Sequence, residues 1–446
     1  MTRGTPPVIV EIILPLNVAE WRLIMKLFFD GDMSKTEKTE DGVIMYTYYS
    51  SFLHNAIMVD ELASKLIDYV IDIGSGNELD CEIIHRIIPE LESNEIMEII
   101  EYLIQTGLFF VNSIDYRKNL FAIEIMNKTS LFRVERIYTH LTYNCNLGCD
   151  YCYNRDKLNK SKDVLQIADW EKVFDKFEGK KKPIITMTGG EPTLYPAFNE
   201  FVSLAYSRGF SLELLTNGTT LNKIPDETIK KITNFIISLD SLDVTKTQRK
   251  NSQNYNILQN ILELKEKNNA ISVRSVMTKD NKSEITELRN YLNKLGIKHV
   301  FSYFIPNNLE EIKYVPDFSK EDHLEGADIC DLSKCSACYR ILAIDPYGKV
   351  FPCQSLMYSD FVLSDVNHED WLQEVKKSQI TKYFMFRSVE SIEECRHCGV
   401  RTICGGGCKA ISYNLYGDIE HKLDYLCDFM KRDSEFRINT IVYEEV

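Results

Sequence analysis

Hydrophobic and polar positions follow three different rhythms along the chain. Between about 131 and 305, short apolar runs recur at 136–142, 183–188, 211–216, 234–239, 270–277 and 298–304, each the length of a buried strand. Stretches such as 169–177 and 255–267 lie between them, with apolar residues at helical spacing. Six such strand–helix units predict a parallel sheet with helices outside, curved into a partial (β/α)6 barrel. Before this region, strand-like runs at 8–16 (VIVEIILPL) and 42–49 (GVIMYTYY) precede a helical stretch at 93–107. There Ile96, Ile99, Ile100, Leu103 and Ile104 form one stripe, with Ser93 placed to cap the start and Gly107 the end. Strands followed by helices predict a small winged-helix-like module. After Phe304 the rhythm lapses, and from Cys330 onward short irregular segments lie between cysteines, as where metal staples a small domain.

Composition changes this picture little. With 44% hydrophobic and 26% charged residues in 446, the chain reads as two or three globular domains. No apolar run approaches the roughly 18 residues a membrane span needs. The N-terminal apolar run is broken by Glu11 and lacks a small-residue cleavage site, so no signal peptide or membrane partner is read and a cytoplasmic location is expected. A net charge of −14 argues against nucleic-acid binding. Twelve acidic residues against two basic ones between Asp60 and Glu101 form either a solvated helical face or a docking surface for a basic peptide.

Thirteen cysteines change it more. Only Cys81 lies outside 145–427, where a buried, inert thiol is expected. In a reducing compartment the rest point to metal or catalysis before disulfides. Cys145, Cys149 and Cys152, in YNCNLGCDYC, follow the first predicted barrel strand. An iron–sulfur cube normally takes four thiolates, so three leave one iron open, the logic of a catalytic metal site. A structural zinc knot wants four closed ligands, and neither a fourth Cys nor a nearby His completes this one; His140 falls within the strand. Parallel α/β sheets bind ligands at the C-terminal ends of their strands. There stand Gly189-Gly190-Glu191 after the second strand, Asn217-Gly218 after the third and Ser238-Leu239-Asp240 after the fourth. A ligand with an amine and a carboxylate could chelate the open iron. A Gly-Gly turn admits close backbone approach, Glu191 can accept from an ammonium group, and Ser238 and Arg249 suit hydroxyls and a carboxylate.

The spacing Cys145-x3-Cys149-x2-Cys152, the aromatic Tyr151 before the last cysteine, and the GGE and TNG elements together resemble the radical S-adenosylmethionine (radical SAM) superfamily over about 136–305. The resemblance implies a TIM-like partial barrel and a [4Fe–4S] cluster bound to S-adenosylmethionine. It also implies reductive cleavage to methionine and a 5′-deoxyadenosyl radical that abstracts hydrogen from substrate. By position, Gly189, Gly190 and Glu191 would face the methionine amine. Asn217, Ser238 and Arg249 would lie near ribose and carboxylate, and Tyr151 would offer its backbone to adenine. Further on, Cys338-x9-Gly348-x4-Cys353 and then Cys395-x2-Cys398-x5-Cys404-x3-Cys408-x18-Cys427 resemble the SPASM domain of peptide-modifying radical SAM enzymes. That implies two auxiliary [4Fe–4S] clusters: Cys338, Cys353 and Cys408 in the first, closed by Cys330 or Cys335, and Cys395, Cys398, Cys404 and Cys427 in the second. A zinc ribbon is the rival for CxxC…CxxxC taken alone.

The domains expected are 1–130, a peptide-recognition module like that of peptide maturases; 131–310, the radical SAM barrel; and 311–446, the SPASM domain. Two features favour a maturase that cross-links a ribosomally made precursor peptide through a thioether or carbon–carbon bond. The first is the N-terminal module, similar to a leader-peptide recognition element. The second is Gln354, in VFPCQSLM, where sulfatase maturases commonly carry an aspartate base. Anaerobic formylglycine-forming sulfatase maturation is the alternative, and a non-catalytic iron–sulfur electron carrier is the rival of another class. No catalytic base is assigned; Asp240, Asp345 and Tyr339 are candidates only by standing near motifs. A leader-bearing peptide and a flavodoxin- or ferredoxin-type reductant are the expected partners.

Overall fold

The computed structural model describes residues 25–26, 28–29, 33–40, 43–50, 55–75, 77–79, 81–91, 93–105, 108–110, 132–160, 163–267, 270–316, 335–387, 389–396 and 398–432. The chain divides into two compact units, Met1–Phe121 and Ala122–Val446. Among the described residues no helix is long and apolar enough to cross a membrane.

In the first unit, β1 (Met33–Glu40), β2 (Val43–Ser50) and β3 (Asn55–Val59) form an antiparallel sheet in that order. Helices α1 (Glu61–Ile73), α2 (Cys81–Ile87) and α3 (Ser93–Gln105) follow. Asp60 caps α1 by accepting from the Ala63 N–H at 2.9 Å. Leu66, Ile67 and Val70 of α1 meet Ile84 of α2 and Ile96, Ile100 and Leu103 of α3 in one core with Tyr48 and Ile57. The predicted stripe is the packed face of α3. Ser93 is its first helical residue rather than its cap, and the expected strand at 8–16 and Gly107 lie outside the described residues. Strand β1, MSKTEKTE, was not anticipated, because with Ser34 and Thr36 buried it carries no apolar run.

The second unit is built on one nine-stranded sheet. Strands β4 (Arg136–Thr142), β5 (Ile184–Gly189), β6 (Leu212–Thr216), β7 (Asn234–Ser238), β8 (Ile271–Met277) and β9 (Lys298–Tyr303) run parallel in sequence order. These are the six predicted strands, each within two residues at either end. Helices α4 (Ile167–Asp175), α5 (Phe198–Ser207), α6 (Ile257–Glu266) and α7 (Lys282–Lys294) lie between them. Their stripes, such as Trp170, Val173 and Phe174 or Phe201, Val202 and Ala205, pack on Ile137, Leu141, Ile185, Met187, Leu212, Leu214, Phe235 and Ile237. The alternate strand residues form the other, polar face, where Arg136 donates to Thr186 at 2.6 Å and pairs with Glu213.

No break falls at 310. Strand β10 (Ile341–Ile344) pairs parallel with β4, continuing the sheet on its other edge. Strands β11 (Lys349–Phe351) and β12 (Ser364–Asp365) then complete the sheet antiparallel. Gly348, at φ +93°, makes the turn between β10 and β11, with Val366 only 3.0 Å from where a Cβ would stand. Helices α8 (Trp371–Lys377), α9 (Gln379–Phe386) and α10 (Lys409–Tyr416) lie beyond.

Candidate functional site

Strand β4 delivers the cysteine loop to the C-terminal rim of the sheet. Cys145, Cys149 and Cys152 are half-buried thiols that form no disulfide. Burial raises the pKa of each; at Cys149, pushed up to about 11, the nearby Cys152, Asp240 and Cys145 add to it and Arg249 opposes it. Thiols whose pKa is raised in this way are poor thiolates until positive charge is supplied, as bound iron would supply it. Asparagines brace the loop. Asn159 accepts from the Cys145 N–H at 2.9 Å and donates to its carbonyl at 3.2 Å, from a left-handed backbone at φ +54°. Asn217 donates to Asn146 Oδ1 at 2.9 Å, and Asn146 donates to Thr219 at 2.9 Å.

The GGE turn is fastened to the same loop. The N–H groups of Gly190 and Glu191 donate to the carbonyls of Thr142 and Asn144, both at 2.8 Å. A Cβ on Gly189 would lie 2.3 Å from the Thr142 carbonyl oxygen, and one on Gly190 would lie 2.4 Å from that of Asn144. The two glycines are therefore demanded by backbone packing against the cysteine loop, a reason the sequence did not supply. The Gly189 carbonyl accepts from buried Asn154 at 3.0 Å.

Glu191 is held on several sides by the protein itself. Its carboxylate is 0% exposed and accepts from the Thr193 N–H (3.2 Å) and hydroxyl (2.6 Å), the Thr216 hydroxyl (2.8 Å) and the Asn217 N–H (2.7 Å). Three of these bonds fall on Oε1 and one on Oε2, and together they lock the ends of β5 and β6.

Arg249 lies where the cysteine loop is hydrogen-bonded: the Arg249–Lys250 pair is antiparallel to Gly148–Cys149, with Arg249 opposite Cys149. Its guanidinium donates to Asp240 through Nε at 2.9 Å and Nη2 at 3.4 Å, and sits 5.4 Å from the centre of the Tyr151 ring. Asp240 also accepts from the Tyr151 hydroxyl and, at 3.0 Å, from the Val276 N–H. Tyr151 thus joins this buried group through its side chain. Beside it opens a cavity of about 390 Å³, lined by Asp150, Arg155, Phe304, Asn308 and Tyr314 among others. Ser238 ends β7, half-buried, and among the described residues no hydrogen bond ties it to the cysteine loop.

The remaining described cysteines form two groups. Cys353 lies within electrostatic reach of Cys335 and Cys408, and Cys338 within reach of Cys353 and Cys335. Cys395 lies near Cys404 and Cys398, and Cys427 near Cys404 and Cys395. Cys335, one of the two candidates to close the first set that the SPASM resemblance implies, lies near Cys353 and Cys408; Cys330 lies outside the described residues. Cys338 sits at φ +72°, a strained left-handed backbone held by its N–H to the Pro352 carbonyl at 3.0 Å.

The sequence profile of the radical SAM superfamily matches residues 139–314, and that of the SPASM iron–sulfur cluster-binding domain matches 335–399. The chain is a radical SAM enzyme with a SPASM domain. The pairing implies a [4Fe–4S] cluster with S-adenosylmethionine and auxiliary iron–sulfur clusters, and three thiols at the rim with two further groups of four suit that complement. A cysteine-type anaerobic sulfatase-maturating enzyme of Clostridium novyi is 24% identical over 60% of this chain and 85% of its own. The mycofactocin maturase MftC of Mycobacterium tuberculosis is 24% identical over 61% of this chain and 78% of its own. Streptococcus suis SuiB bound to its precursor peptide SuiA has a like fold, with TM-score 0.53 at 16% identity, over 89% of this chain and 98% of that one.

The two carboxylates among the candidate bases are engaged in hydrogen bonds. Asp240 holds Arg249 and Tyr151, and Asp345 accepts from the Tyr347 and Lys349 N–H groups at 2.9 and 2.8 Å in the β10–β11 turn. Burial pushes Tyr339 up to about 12. Residues that no motif marked connect the two domains: Lys157, on the cysteine loop, donates to the Met357 carbonyl at 3.0 Å, and Tyr143 packs edge-on against Tyr347. The density of asparagine in 144–159 was the one available signal for the loop's braces.

Proposed function

We propose that this radical SAM enzyme matures a ribosomally made peptide, forming a thioether or carbon–carbon cross-link. The observation that carries this is the N-terminal unit, whose described strands and helices close a core of their own. The likeness to SuiB, solved with its precursor peptide, spans 89% of the chain, more than the second unit alone supplies. Gln354 after Cys353 supports the same reading, since an amide cannot take up the proton that formylglycine formation releases.

In this reading Cys145, Cys149 and Cys152 hold three irons, leaving the fourth for the amine and carboxylate of S-adenosylmethionine. The chemistry supplied there is one-electron cleavage to methionine and a carbon radical that takes hydrogen from the peptide. The protein's part is positioning. The Gly189–Gly190 backbone offers the amine its carbonyls, Asn217 and Ser238 face the ribose, Arg249 lies toward the carboxylate, and the Tyr151 backbone borders a cavity with room for adenine. Glu191 acts through Asn217. Cys335, Cys338, Cys353 and Cys408 hold one auxiliary cluster and Cys395, Cys398, Cys404 and Cys427 the other. Held there, the clusters would supply an acceptor for the electron left after bond formation, while the proton given up by the thiol or C–H partner passes to solvent water. The N-terminal unit, winged-helix-like, grips the leader, and a flavodoxin- or ferredoxin-type protein supplies the first electron.

The test is anaerobic co-expression with a cysteine-bearing precursor peptide encoded beside the gene, followed by mass spectrometry. Loss of two hydrogens per cross-link is expected. Exchange of a cysteine sulfur for oxygen with loss of two hydrogens would establish formylglycine formation instead. Absence of 5′-deoxyadenosine after reduction with S-adenosylmethionine present would leave only an electron carrier.

A further inference from the structure

Two buried cations stand between the two groups of C-terminal cysteines. Lys409 is 1% exposed, although it is a lysine at the first position of α10, directly after Cys408. It lies within electrostatic reach of Cys335 and Cys408 in the first group and of Cys395 and Cys404 in the second. Arg387, at the end of α9 with a side chain 8% exposed, reaches Cys335 and Cys395, again one from each group.

The surroundings are built to keep these charges inside. Glu420 is their shared counter-ion, with its Oε2 3.3 Å from Arg387 Nη2 and 3.8 Å from Lys409 Nζ. Gly405, Gly406 and Gly407 run consecutively at φ +60°, +74° and +76°, a path open only to glycine at low cost. That path turns the Gly405 carbonyl toward Arg387 at 3.3 Å and the Gly406 carbonyl toward Lys409 at 3.4 Å. A Cβ on Gly406 would meet the Ile392 side-chain tip at 2.6 Å, and one on Gly407 the Leu423 tip at 2.8 Å. Burying two cations is costly unless negative charge compensates them, and a single carboxylate leaves one positive charge over. Eight thiolates in two cubes supply it: a cysteine-ligated cube is negatively charged and gains one more negative charge with each electron it accepts.

We propose that Lys409 and Arg387 are positioning residues that raise the reduction potentials of both auxiliary clusters together, making the pair an electron acceptor set by one shared charge. Net charge and hydrogen bonding around a cluster are among the protein's levers on its potential. The inference rests on the assignment of the two cysteine groups to clusters, and the experiment separates the two.

The full-length chain with Cys145, Cys149 and Cys152 replaced by Ala isolates the auxiliary clusters for an EPR-monitored redox titration, with iron measured in parallel. Failure of this parent to show two reducible [4Fe–4S] signals would overturn the cluster assignment itself. On the parent, Lys409→Met should move both midpoints to more negative values at unchanged iron content, and Lys409→Arg should restore them. Glu420→Gln removes the counter-ion and should move both the opposite way, which keeps the test decisive if Lys409→Met loses iron. Midpoints unmoved by iron-replete variants, or a shift confined to one cluster, would overturn the inference.

Discussion

At the scale of single residues, the site is organised by buried charges whose partners come from distant segments. Asp240 and Arg249 show the consequence most directly. Their side chains are 2% and 7% exposed, and each is the other's compensation. Removing one leaves the other charged and unpaired, which costs about 3–5 kcal/mol, whereas removing both together costs far less. Arg249→Met should therefore lower stability in denaturant titration by about that amount, and Arg249→Met with Asp240→Asn should recover most of it. Equal losses in single and double variants would mean the pair is not the strut described here. This residue scale was also where the sequence was least explicit. The cysteines, glycines and Asn217 were legible because their types and spacings serve one chemistry. The task of Glu191 was not, because its donors Thr193, Thr216 and Asn217 gather only when β5 and β6 lie side by side. Asp240 read only as a candidate near a motif for the same reason: the hydroxyl of Tyr151 and the N–H of Val276 arrive from two other elements.

At the scale of elements, the barrel strands were legible because each is a continuous apolar run with turn residues at its end. What periodicity did not reveal was which strand lies beside which once the helical rhythm stopped. Strand β10 is only Ile341–Ile344, too short to announce itself, yet it pairs with β4 and so flanks the strand that carries the cysteine loop. Leu342 and Ile344, both 0% exposed, join the same core as Ile137 and Leu141 of β4. The barrel and the cysteine-rich region therefore share one sheet and one core and should unfold together. Leu342→Ala removes buried methyl groups at a site of dense packing and should cost about 2–5 kcal/mol. Measured on cluster-free chains that keep only Trp170 in the barrel or only Trp371 beyond it, that loss should displace the transition reported by either fluorescence alike. Two separated transitions, with only the later one displaced, would show that the sheet is not continuous in energy as it is in hydrogen bonding.

At the scale of the whole molecule, the chain joins a unit that carries the radical SAM and SPASM matches to one that lies ahead of both in sequence. The first unit closes its own core through Leu66, Ile67, Ile96, Ile100 and Leu103, and the radical SAM machinery lies wholly in the second. Among its described residues the first unit exposes acidic side chains, Glu61 and Asp72 on α1 and Glu95, Glu98 and Glu101 on α3, beside exposed Ile83, Ile87 and Tyr102. A basic leader segment would be drawn to such a surface, and the attraction would weaken as salt shortens the screening length from about 10 Å at 0.1 M. Binding energy spent away from the reacting atoms serves to hold the peptide in place while the radical acts. Deleting residues 1–121 should therefore leave formation of 5′-deoxyadenosine intact while modification of the precursor peptide falls at least about tenfold, a loss of 1.4 kcal/mol or more of positioning. Raising salt on the full chain should reproduce part of that loss through a higher KM with kcat preserved, since only the docking step is screened. A truncated chain that modifies the peptide as fast as the whole would reduce the N-terminal unit to a structural cap and return sulfatase-type maturation to equal standing.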